Sequence, residues 1–160
     1  MPEKATNPGL VELVRRNFEA LSRRDFDAVE SFFAQDAVYG PTEIGTFEGP
    51  AAIRGLCEDL MSTYDEFHIE IEEIIDLGNG VTFVVNLITG HPVGSSGELR
   101  MRTGNVVTWT EAVIERETGY LDIDEARADA ERLAAERAAR GAEWRPGRRR
   151  RAWPTSDTAR

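Results

Sequence analysis

The hydrophobic period of this chain changes from helical to extended near residue 67, and returns to helical near residue 122. Upstream, Leu10, Leu13, Val14, Phe18 and Leu21 recur at helical spacing and make one apolar stripe. Asn17 falls inside that stripe, where a core favours Leu. Asn7-Pro8 reads as an N-cap followed by proline at the first helical position, and the first helix runs to about Ser22. Asp25 caps a short second helix carrying Phe26, Val29, Phe32 and Phe33. "DAVYG" is a short extended piece ended by Gly40-Pro41, and "TFEGP" leads into a third helix burying Ile53, Leu56, Cys57, Leu60 and Tyr64.

From "FHIEIEEIIDL" onward the period is two. The doubled Glu72-Glu73 shifts the phase before Ile74, which implies a bulge. "GNG" at 78–80 is a hairpin turn, and "VTFVVNLITGH" reads as a strand covered on both faces. "PVGSSG" is a loop, and "ELRMRTGNVVTW" and "VIERETGYL" are two further strands. "DIDEARADAERLAAERAARG" is a final helix with an Asp122/Glu125 capping pair, helical-spacing ion pairs Asp129/Arg132 and Glu136/Arg140, and Gly141 as terminator. Its apolar face is mostly alanine, so it packs lightly.

Helices followed by strands define an α+β domain, with helices on one face of a curved antiparallel sheet and a cavity between them. The expected division is a flexible N-terminus (1–8), a domain (9–122), a C-terminal helix (123–141) and a basic disordered tail (142–160). The chain has 160 residues, 41% hydrophobic and 8% aromatic, which suits one globular domain. From residue 145 on, six arginines face only Asp157, a net +5 against −10 for the whole chain, so residues 1–144 carry −15. An acidic body repels nucleic acid and anionic membrane, and the "RRRR" run reads as a solvated end. Cys57 is the only cysteine, which excludes an internal disulfide and fits a reducing compartment. "MPEKATNPG" lacks an apolar signal region, and the expected location is cytoplasmic.

The segments "FEALSRRDFDAVESFFAQDAVY", "FEGPAAIRGL" and "YLDIDEARADAERLA" resemble the nuclear transport factor 2-like superfamily, and within it the SnoaL-like group that includes ketosteroid isomerases and polyketide cyclases. The resemblance covers roughly 11–139. It implies a cone-shaped half-barrel with an apolar pocket, commonly in a homodimer, and chemistry that includes proton transfer, cyclisation, dehydration and epoxide hydrolysis. It also implies which isomerase residues are gone. The oxyanion-hole tyrosine of the first helix falls on Asn17, the base aspartate on Gly40, the supporting tyrosine of the third helix on Cys57, and the oxyanion-hole aspartic acid on Val107. The isomerase mechanism therefore does not transfer.

Within that frame the candidate ligand-lining residues are Asn17, Phe18, Tyr39, Cys57, Val85, Leu87, Thr89, His91, Asn105, Val107 and Trp109. Asn17 is either a core-edge amide with a backbone partner or a neutral donor to a ligand carbonyl. Alternation puts His91 on one face with Phe83, Val85, Leu87 and Thr89, the expected pocket face, while its place before Pro92 suits a loop-edge histidine equally. His91 and Tyr39 are the candidate proton carriers. Asn105, Val107 and Trp109 share a face with Leu99 and Met101, with Arg100 and Arg102 opposite. The two histidines and nearby acids lack metal-ligand spacing, so no metal and no cofactor is expected. Two functions stay open: an enzyme moving a proton on a small, mostly apolar, carbonyl- or hydroxyl-bearing molecule, or a non-catalytic pocket or dimerisation module.

Overall fold

The computed structural model describes residues 9–143, backbone only at 41, 42, 142 and 143. The expected flexible N-terminus, including the Asn7 cap and Pro8, and the arginine-rich tail lie outside the described residues. Ten elements follow in the order α1 (Leu10–Ser22), α2 (Phe26–Ser31), β1 (Phe33–Thr42), β2 (Gly45–Glu48), α3 (Pro50–Ser62), β3 (Tyr64–Gly78), β4 (Val81–Pro92), β5 (Leu99–Thr110), β6 (Val113–Tyr120) and α4 (Ile123–Glu143).

α1 buries Leu13, Val14, Asn17, Phe18 and Ala20, and Gly9 stands at its N-cap. α2 is capped as its sequence predicts, with the Asp25 carboxylate accepting from Ala28 N at 3.2 Å. It is shorter than expected. Phe32 is its C-cap and Phe33 opens β1, because the Phe32 carbonyl accepts the amide of Ile114 at 2.8 Å and draws the chain into the sheet. α3 buries Ile53, Cys57 and Met61, one i, i+4, i+8 ridge. Leu60, expected inside, is 41% exposed, and Tyr64 begins β3.

The six strands form one curved sheet in the order β2-β1-β6-β5-β4-β3. All neighbours are antiparallel except β1 and β6, which run parallel with Tyr39 opposite Glu117. The β3–β4 register shifts between Ile71 and Glu73, the bulge expected from the doubled glutamate. It lets Ile71 and Ile74 share the α1 side, while Glu73 turns away to pair with Arg127 at 3.0 Å. The β3–β4 turn has Asn79 at φ 58° and Gly80 at φ 76°, the positive pair that a two-residue hairpin requires.

The sheet is covered on both sides. Against α1 and α3 lie Val84, Val107, Trp109, Ile114, Ile69, Ile71 and Ile74. Against α4 lie Val81, Phe83, Val85 and Val106, packed on Ala126, Ala130 and Ala134. The helices thus do not all share one face, as expected from their order; α4 crosses to the opposite side. Its cap is as expected, with Glu125 N donating to the Asp122 carboxylate at 3.0 Å. Arg132 pairs with Asp129 and with Glu136, and the helix continues through Gly141 to Glu143. The alanine face brings the helix close to the sheet. A Cβ at Gly104 would stand 2.8 Å from the Cβ of Ala126. Arg127 completes this layer, its guanidinium 4.8 Å above the Phe83 ring.

That closeness is testable. Gly104→Ala is expected to push α4 off the sheet and destabilise the fold by about 1–3 kcal/mol, read from the midpoint of urea denaturation. An unchanged midpoint would mean that α4 adjusts without cost.

Candidate functional site

The α1 side of the sheet is mostly apolar, and at one place buried polar side chains from β4, β5 and β6 meet. Glu117 is 2% exposed and Asn105 5% exposed, and the Asn105 Nδ2 donates to Glu117 Oε2 at 2.9 Å. Asn105 Oδ1 accepts from the Nδ2 of Asn86, itself 1% exposed, at 3.2 Å. Tyr39 reaches the same amide from β1, where it is the register partner of Glu117. Cys57, from α3, lies close enough for the Glu117 charge to act on its thiol. Asn17 is buried on α1. Two atoms stand out: the Oδ1 oxygens of Asn17 and Asn86 are shielded from solvent and have no hydrogen-bond donor among the described residues.

Burial sets the ionisation of this cluster. It pushes the Glu117 carboxyl up to about 7, against the single stabilising hydrogen bond from Asn105. It also pushes the Cys57 thiol up to about 12, with the Glu117 and Glu58 charges adding to the effect. The Tyr39 phenol is raised far above its ordinary value by burial and by the Glu117 and Cys57 charges, with Asn105 opposing. At neutral pH, Tyr39 and Cys57 therefore stay protonated and Glu117 is the group that exchanges a proton. A carboxyl titrating near neutrality, held by an amide and flanked by a neutral phenol, can act as general acid or general base.

The sequence-level candidates divide. Asn17, Tyr39, Cys57 and Asn105 lie on the α1 side with the cluster, as do Phe18, Val107 and Trp109 in the surrounding core. The Trp109 indole donates to Thr82 Oγ1 at 3.0 Å, which fixes the ring as a core wall. Val85 lies on the other side, under α4, so the face that Phe83, Val85, Leu87, Thr89 and His91 share by alternation is the one opposite α1 and α3. Alternation groups residues on a common side, but with both sides covered it cannot say which one meets α1. His91 sits at the open end of β4, its Nδ1 3.2 Å from the Gly97 carbonyl and its Nε2 4.0 Å from the Glu66 carboxylate. Among the described residues, no three His, Cys, Asp or Glu side chains group as metal ligands would.

Glu117 and Asn86 were not among the candidates. Asn86 was missed with the face of β4. Glu117 was missed because "VIERETGY" reads as a solvated strand in which Arg116, not Glu117, shares a side with Ile114. The register of β5 and β6 shifts between Thr108 and Trp109: Trp109 pairs with Ile114 but Thr108 with Arg116. The extra residue, Glu115, bulges outward to Thr110 and Arg137, and Glu117 swings in. Arg116 swings out, donating to the Gly40 carbonyl at 2.8 Å. Gly40 itself has φ 120°, and a Cβ there would stand 2.8 Å from the Gly45 carbonyl oxygen. No carboxylate fits where the isomerase base would fall; the acid of this interior comes from β6.

One more residue joins the cluster to the outside. Beyond the Tyr39–Glu117 pair of β1 and β6, Gly119 pairs with Asn105 of β5. A Cβ at Gly119 would stand 3.7 Å from Asn105 Nδ2 and 3.8 Å from the Tyr39 hydroxyl. Gly119 also lines a surface cleft of about 680 Å³ with Arg116, Tyr120, Asp129 and Arg132.

The fold and the buried cluster define a small α+β cone with a titratable polar interior. The chain belongs to the SnoaL-like domain family, which matches residues 14–116. No curated protein matches the sequence. Among solved structures, the chain is similar to a protein of ketosteroid isomerase-like fold from Catenulispora acidiphila in complex with trimethylamine, with TM-score 0.65 and 19% identity over 84% of this chain and 98% of that one. It is similar to an LEH-like epoxide hydrolase from Mycobacterium tuberculosis, with TM-score 0.61 and 17% identity over 81% and 96% of the two chains. It is also similar to a proposed SnoaL-like polyketide cyclase from Shewanella denitrificans, with TM-score 0.61 and 12% identity over 78% and 97%. These likenesses show the shared fold.

The raised carboxyl has a sign that stability measurements can read. Unfolded, Glu117 loses its proton near 4.5; folded, it keeps it to about 7. Between these values the folded state binds the extra proton, so stability falls as pH rises and levels off above about 7. Glu117→Gln keeps an oxygen for Asn105 and abolishes this loss. The stability of the variant relative to wild type is expected to grow by about 3 kcal/mol from pH 4.5 to 8 in urea titrations. A constant difference across that range would place the Glu117 carboxyl at its ordinary value.

Proposed function

We propose that the chain binds a small, mostly apolar, carbonyl- or hydroxyl-bearing molecule in the interior of the cone, and that Glu117 moves a proton on it. The observation that supports this most is a carboxyl, 2% exposed, with its proton held to about 7 and a single amide to orient it. An acid placed only for structure would be expected to gain a cationic partner or several donors, because an ionised carboxylate buried with one neutral hydrogen bond is costly. This one keeps a proton available at physiological pH instead. Asn105 positions it, and the neutral Tyr39 hydroxyl stands ready to donate to developing negative charge on a substrate oxygen. Gly119, which borders both the cluster and the surface cleft, is the proposed point of approach. The neighbours' descriptions as polyketide cyclase and epoxide hydrolase are compatible with acid–base chemistry at such a place.

The proposal replaces His91 by Glu117 as proton carrier. His91 stands at the sheet's edge beside Glu66 and the Gly97 carbonyl, with no contact to the cluster among its hydrogen bonds and ion pairs.

A panel of alicyclic and aromatic ketones and hydroxyketones, first ranked by thermal shift, provides the test. For the compounds that bind, deuterium incorporation beside the carbonyl in D₂O is followed by NMR. Wild type is expected to accelerate exchange, with a rate that rises with pH through about 7. Glu117→Gln is expected to lower that rate at least about 100-fold while the thermal shifts persist. Binding without acceleration by either protein would make the domain a carrier rather than a catalyst.

A further inference from the structure

The orphan oxygens of the interior carry more information than its acid. An ionised carboxylate offers only acceptors, so Asn105 must turn its Nδ2 to Glu117, as observed at 2.9 Å. Its Oδ1 then faces Asn86 and requires a donor, so Asn86 must turn its own Nδ2 inward, as observed at 3.2 Å. The last atom of this chain, Asn86 Oδ1, is left as an acceptor, buried and without a donor among the described residues. While Glu117 is ionised, the direction of both amides follows from it. Asn17 ends the same way from the helical side: its Oδ1 is also shielded and also without a donor. Both residues are more than nine-tenths buried, at 1% and 6% exposure.

An acceptor left unpaired inside a protein costs as much as a lost hydrogen bond, and here two occur in a single core. A bound molecule that brings only a carbonyl adds a third acceptor and relieves neither. A molecule that brings a hydroxyl donates to one of these oxygens and still offers its own lone pairs to the Tyr39 hydroxyl. We infer that Asn86 and Asn17 form a donor-requiring subsite, so that the ligand of this cone presents an alcohol hydroxyl to them and a ketone of the same skeleton is disfavoured. The inference rests on the proposal that the interior is a binding site. It deepens that proposal by naming the group which the ligand carries, and makes Asn86 and Asn17 specificity-determining residues.

Matched alcohol and ketone pairs on three skeletons (cyclohexyl, decalin and tetralin) separate the two statements. Dissociation constants are measured by NMR titration on wild type and on Asn17→Leu. The alcohol of the fitting skeleton is expected to bind wild type about three- to tenfold more tightly than its ketone, the worth of one hydrogen bond. Asn17→Leu removes an orphan acceptor at nearly constant volume. It is expected to raise the Tm of the free protein and to reduce the alcohol preference. Asn86→Asp gives a second reading: it keeps an acceptor but removes the donor that Asn105 needs, and is expected to lower Tm while retaining the alcohol preference. Equal binding of alcohol and ketone, or a preference for the ketone, overturns the inference and leaves the pocket standing. An alcohol preference unchanged in Asn17→Leu excludes Asn17 and leaves Asn86 alone as the subsite. Binding of neither member on any skeleton overturns the pocket together with the inference.

Discussion

A carboxyl group held inside an apolar core by one amide is the interaction around which this interior is arranged. Glu117 cannot be solvated where it lies, so burial opposes its charge and Asn105 supports it. The competition leaves the proton bound to near neutrality. Everything polar nearby takes its orientation from that group. Asn105 aims its donor at Glu117, Asn86 aims its donor at Asn105, and the Asn86 oxygen is left buried without a donor among the described residues. Tyr39 and Cys57 feel the same charge and stay neutral. Burial keeps the side chains from β1 and α3 neutral, the charge of this one acid adds to that effect, and the amides from β4 and β5 line up toward it.

The fold supports that acid from both sides of the sheet. α1 and α3 close one side with Leu13, Val14, Phe18, Ile53 and Cys57. α4 closes the other with its alanine face, close enough that Gly104 has no room for a side chain. A helix that packs through alanines buries little area per residue, and its closeness to the strands compensates by excluding water from β4 and β5. The residues that the isomerase resemblance marked are occupied for local reasons. Gly40 holds a positive φ against the Gly45 carbonyl, and its own carbonyl accepts from Arg116 and Thr118. The buried acid of this interior stands on β6, with its amide partners on β5 and β4.

Much of the architecture was legible in the residues. The stripe of α1, the Asp25 and Asp122 caps, the Glu72 bulge and the Asn79-Gly80 turn are local devices, each completed within a few residues, and each stands in the structure where its residues implied. Asn105, Val107 and Trp109 share one side of the sheet, as their alternation implies. The end of α2 was misread because Phe32 answers to Ile114, a partner 82 residues away in the sequence that no local signal announces. The buried ridge of α3 was misread in part because Leu56 and Leu60 look as apolar as Cys57 and Met61.

The sequence by itself determined the order of elements, the α+β class and the amide set into α1, since caps, turns and periodicity depend on neighbouring residues. Only the tertiary structure decided what the interior contains. One bulged residue, Glu115, reverses the phase of β6 and turns Glu117 inward, and the covering of both sheet faces decides that Asn86 rather than His91 joins it. A period of two records which residues share a side. Which side is buried against which helix, and so which carboxyl loses its water, is settled by packing between segments far apart in the chain.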